Sequence, residues 1–155
     1  MRIRILALFL ALVTAASLLT SCSLIFGDVD DSGNFTVLVE NAEGSYEVYT
    51  TDLNRLENKS EGAKGLLEHL NTQNERLYLE MVDSTYGAYV SAIGNIREGD
   101  GYYVIVYTSV ASDSYEGAPT VEYEDTTLYQ AGVGLSGMKV EAGGIIMFRL
   151  ERSPY

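Results

Sequence analysis

Apolar and polar residues alternate in short runs over most of this chain, the two-residue period of half-buried β-strands. In "NFTVLVEN", Phe35, Val37 and Val39 recur at every second position. "EGSYEVYTTDL" follows a glycine turn and sets Tyr46, Val48 and Thr50 on one face, so the two runs predict a hairpin. "KSEGAKGLLEHLNTQNE" breaks the period. Ala63, Leu66, Leu67 and Leu70 fall at helical spacing, Ser60 stands where an N-cap belongs, and Glu61 suits the first turn. Gly62 and Gly65 weaken that helix, so it must lean on packing.

Strand patterns then resume. "RLYLEMVD" sets Leu77, Leu79 and Met81 against Tyr78, Glu80 and Val82, and "AYVSAIGNI" is strand-like. "YYVIVYTS" is continuously apolar, as in a strand covered on both faces, and "IIMFRLE" reads as the last strand. A hairpin, one helix and then several strands predict an α+β fold, a mixed sheet with one packed helix. Ser109 to Thr126 reads as a long acidic loop.

The first residues form an address rather than a structural element. Arg2 and Arg4 precede an apolar run from Ile5 to Leu19, too short for a comfortable membrane span. It ends in Leu19-Thr20-Ser21-Cys22, which resembles a bacterial lipobox and holds the only cysteine of the chain. The expectation is a signal peptide over 1–21, lipidation of Cys22, an acidic tether over 22–34 and a domain over 35–152. The protein is then extracytoplasmic and held to the membrane by its lipid anchor. Within the tether, Asp28, Asp30, Ser32 and Gly33 imitate the start of a calcium loop, but the closing glutamate position is Val39. No metal site is expected.

Charge narrows the partners. The formal net charge is −12, which repels phosphate backbones and argues against nucleic acid. Candidate chemistry is sparse. His69 is the only histidine, and Ser136 in "GLSGMK" lacks the flanking glycines of a nucleophile elbow. Glu122 and Glu124 would share a strand face, but acids are abundant enough for chance pairs. "GVGLSG", Gly132 to Gly137, has dinucleotide-loop spacing but is followed by turn and strand, so its glycines are assigned to turns at positive φ. No enzyme and no cofactor are expected.

Four segments, "SEGAKGLLEHL", "TYGAYVSAIGNI", "YYVIVYTS" and "LYQAGVGLSGMKVEAGGIIMFRLE", together resemble the transcobalamin C-terminal-like family of β-grasp-like modules. The chain departs from it at Tyr102 and Tyr103, where many members carry Trp, and at Thr108-Ser109 and Gly143-Gly144. The resemblance implies a β-grasp-like domain and a non-enzymatic surface module capturing a small molecule such as a corrinoid (cobalamin). The alternative is an adhesin-like or structural subunit of an envelope complex. Tyr86, Tyr89, Tyr103 and Tyr107 are the candidate ligand contacts, as flat side chains with low entropy cost.

Overall fold

The computed structural model describes residues 33–152, so the signal peptide, Cys22 and most of the tether lie outside the described residues. Among the described residues, nine strands and one α-helix form an α+β fold with two sheets. The hairpin is present as β1 (Asn34–Glu40) and β2 (Tyr46–Asp52), paired from Asn34↔Asp52 to Glu40↔Tyr46. Asn41 shapes its turn, its side-chain oxygen accepting from the backbone N–H of Glu43 (3.1 Å) and Ser45 (3.0 Å). Gly44 supplies the positive φ, +77°, that the turn needs.

The six-stranded sheet has the order β2-β1-β9-β6-β8-β7. The last strand, β9 (Ile145–Arg152), lies between β1 and β6 (Tyr102–Thr108), parallel to the first and antiparallel to the second. One face carries Phe35, Val37, Val39, Val104, Ile146 and Phe148, and helix α1 (Gly62–Gln73) packs on it through Ala63, Leu66, Leu67 and Leu70. The other face buries a smaller cluster of Leu38, Tyr107, Leu128 and Met147. Tyr46 of β2 touches Tyr123 of β7 edge to face at 5.2 Å, although these strands are the two margins of the sheet. Six flat strands would separate them by about 24 Å, so the sheet curls over the second cluster. A smaller sheet, β3 (Glu80–Val82), β4 (Tyr89–Ile93) and β5 (Ile96–Arg97), adds Val90, Ile93 and Ile96 to the core that α1 shares.

Four sequence expectations are corrected. Ser60 does not cap α1: the chain enters through a 3-10 turn, Lys59–Glu61, then Gly62 at φ +54°, and Glu61 stands at the N-cap without a side-chain hydrogen bond. "RLYLEMVD" is a strand only from Glu80, because Glu75–Leu77 coils into a 3-10 turn that buries Leu77. The supposed loop from Ser109 to Thr126 contains a 3-10 turn, Ala111–Asp113, and strand β7 (Thr120–Tyr123), which pairs with β8 (Thr126–Gln130). The glycines of "GVGLSG" are not at positive φ. Two of them allow close approach: a Cβ on Gly134 would run into the Tyr86 carbonyl oxygen, and one on Gly132 would meet the Tyr115 ring at 3.1 Å.

Candidate functional site: a cleft at the end of β1

The ladder between β1 and β9 stops at Val39↔Phe148, because β1 turns away into the hairpin. β9 runs on to Arg152, still paired with β6 on its other side. The space that opens where β1 departs is a cleft of about 700 Å³. Its walls are the β1–β2 turn with Glu43, the β4–β5 turn with Asn95, Tyr102 at the start of β6, and Arg149 and Leu150 of β9.

Arg149 is fully committed. Its guanidinium pairs with Glu40, whose buried Oε2 has no conventional hydrogen bond and relies on that ion pair. It also lies 3.9 Å from Glu151 and 6.0 Å from the Tyr107 ring centroid. Tyr107 in turn donates to Glu151 at 2.8 Å. Burial, reinforced by that carboxylate, pushes the Tyr107 phenol up to about 12. The group is therefore a closed network that fixes one wall. Glu43, Asn95 and the exposed Tyr102 ring remain to meet a ligand.

Asn95 also borders a second groove, of about 580 Å³, between β2 and the residues after α1. There Tyr49 donates to Glu47 at 2.6 Å, and burial pushes its phenol well above the usual tyrosine range. The tight β4–β5 turn divides the two spaces. Gly94 sits in it at φ +56°, where an added Cβ would meet Val39 at 3.3 Å.

The four predicted tyrosines do not form one site. Tyr86, 90% exposed, tips the turn from Ser84 to Gly87, and Tyr89 is half-exposed at the start of β4. Tyr103 is half-exposed on β6, on the same face as Tyr107. Tyr107 is buried and does not face solvent, because the β7–β8 hairpin curls over it. None of the four lines the cleft; their neighbour Tyr102 does. Asn95 and Arg149 were not singled out by sequence reasoning. The signal for Asn95 was its place in the "IGNI" turn; Arg149 had none.

The remaining candidates resolve as structure. His69 is half-buried and shares a hydrogen bond with Gln73 at 2.9 Å. Glu122 accepts from Thr127 at 2.9 Å, and Glu124 lies in a turn at φ +51°, so the two do not share a strand. Val39 is buried in β1, while Asp28, Asp30 and Ser32 lie outside the described residues. Among the described residues there is no group of three or more His, Cys, Asp or Glu placed to hold a metal ion. No helix among them is long and apolar enough to cross a membrane.

No family model matches the chain, and no curated protein matches it. Among solved structures, it is similar to a protein from Ruminococcus gnavus described as a "putative metal binding protein". The two share 13% identity with a TM-score of 0.53, over 78% of this chain and 98% of the other. At that identity the likeness shows the fold.

Proposed function

We propose that this chain is a non-catalytic binding module on the extracytoplasmic surface, anchored through a lipidated Cys22, that takes its ligand in the cleft at the end of β1. The cleft carries this reading. It joins an exposed aromatic ring, an amide and a carboxylate in a space of ligand size, the usual make-up of a recognition pocket. It also opens at the Glu40 end of β1, while the tether joins at Asn34, about 20 Å away along the strand. The cleft therefore lies at the opposite end of β1 from the residue where the tether joins.

A corrinoid is the one specific ligand the sequence resemblance suggests. It is larger than the cleft and would be held by one edge. Calorimetry of the soluble domain with cobalamin and with cobinamide tests this, and the absence of heat with both removes the corrinoid. Replacing Cys22 by Ala is expected to move the protein from the membrane fraction to the soluble one; unchanged fractionation removes the anchor. The metal-binding description of the structural neighbour is not carried over, since no cation site of three acidic, His or Cys ligands exists among the described residues. A role as a protein-binding subunit is favoured by one observation, the open side of β9 within the cleft.

A further inference from the structure

We propose that the cleft receives an extended peptide segment of a partner protein, which adds to β9 as a strand where β1 leaves it. The proposal rests on the cleft being the binding site, but not on a corrinoid as ligand. β9 is paired on both sides up to Phe148 and on one side only from Arg149 to Arg152. The direction of its backbone groups follows from two hydrogen bonds. Thr36 donates to the carbonyl of Gly144, so the even-numbered residues of β9 face β1. Ser109 donates to the carbonyl of Ile145, so the odd-numbered ones face β6. The N–H and C=O of Leu150 therefore point into the cleft, beyond the last ladder pair with β1. A matched donor and acceptor at strand spacing is what a peptide backbone satisfies.

The side chains agree. An added strand would alternate its own between two walls. One set would lie against Leu150 and the exposed ring of Tyr102, and the other against Arg149 and Glu40. Arg149 is neutralised by Glu40, whereas Glu43 stands exposed at the mouth, on a chain of net charge −12. Electrostatics therefore favours a cationic segment.

The test selects a binder from displayed peptides of about ten residues, with lysine fixed at intervals, on the soluble domain. The selected peptide is then titrated calorimetrically. N-methylation at successive peptide positions is expected to weaken binding about tenfold at alternate residues only, since one lost hydrogen bond is worth roughly 1–1.5 kcal/mol. Leu150→Pro removes only the N–H facing the cleft, a change that edge strands tolerate. It is expected to weaken binding by a similar factor, while Leu150→Ala has a smaller effect. Failure to select any peptide overturns the proposal, as does indifference to both N-methylation and Leu150→Pro. In the latter case Asn95→Trp, which fills the cleft, separates the two readings. Binding lost on that change leaves the cleft standing without strand addition, and binding retained removes both. The N-methyl series holds even if Leu150→Pro unfolds the domain.

Discussion

Residue-level chemistry in this fold is concentrated where a polar group is buried with a defined partner. Asp113 is the strongest case. It is buried in the turn before β7 and accepts the Lys139 backbone N–H at 2.6 Å, while its carbonyl accepts from Gly132 at 2.8 Å. It therefore ties three loop segments together. Burial holds its carboxyl above the usual aspartate range, outweighing the Lys139 contacts. A carboxyl with a raised folded-state pKa binds protons more tightly in the folded than in the unfolded chain. Its contribution is then fully present below the unfolded pKa and is lost as pH rises through the folded one. Asparagine keeps an oxygen for Lys139 and carries no charge. Asp113→Asn is therefore expected to be more stable than the parent at pH 7, with the gap closing toward pH 4. Urea midpoints across that range measure it, and a gap that widens on acidification contradicts the assignment. Tyr107 teaches the opposite lesson. Sequence offers it as an outward aromatic, but its hydroxyl is spent on Glu151 and its ring on Arg149.

Elements follow local pattern where one face decides them, and depart from it where a distant segment intrudes. The β1–β2 hairpin, α1 and β6 were legible because alternation, helical spacing and a continuous apolar run, respectively, carried through each of them. Tyr46, Val48 and Thr50 do share a face, but it is the more exposed one, on the side of the smaller cluster, since Tyr49 and Thr51 turn to the main core. Strand β7 was not legible, because "TVEY" is short and acidic and gains its order from pairing with β8. The cleft was illegible for a similar reason. It depends on where β1 stops beside β9, two strands at opposite ends of the domain sequence. Gly65 makes the point testable. Helix propensity alone says that alanine there should stabilise α1 by about 1 kcal/mol. In the fold, the added Cβ would sit 2.3 Å from the Asn58 carbonyl oxygen. Gly65→Ala is therefore expected to destabilise the domain, by roughly 1–3 kcal/mol as overpacking does. A gain in the urea midpoint would show that the segment before α1 yields easily.

At the scale of the whole molecule, one strand joins the parts. β9 follows every other described strand in the sequence, yet it lies between β1 and β6, and its Ile146 and Phe148 complete the surface on which α1 packs. Folding must therefore close a long loop before its central ladder forms, which places the domain among slowly folding, β-rich topologies. The same strand has two distinct halves. Phe148 is fully buried between two paired neighbours, whereas Leu150, only two residues on, is exposed beside the cleft. This division lets a central strand offer an edge without weakening the sheet. Phe148→Ala is expected to cost about 3–5 kcal/mol through lost burial and the cavity left behind. That is a large share of the roughly 5–15 kcal/mol that holds a typical domain together. Leu150→Ala, a surface change away from the core, is expected to stay within about 0.5 kcal/mol. Urea unfolding of the two variants side by side decides between these views. Similar losses would mean that the second half of β9 is as structural as the first, and that its open side is spare surface rather than a place for another chain.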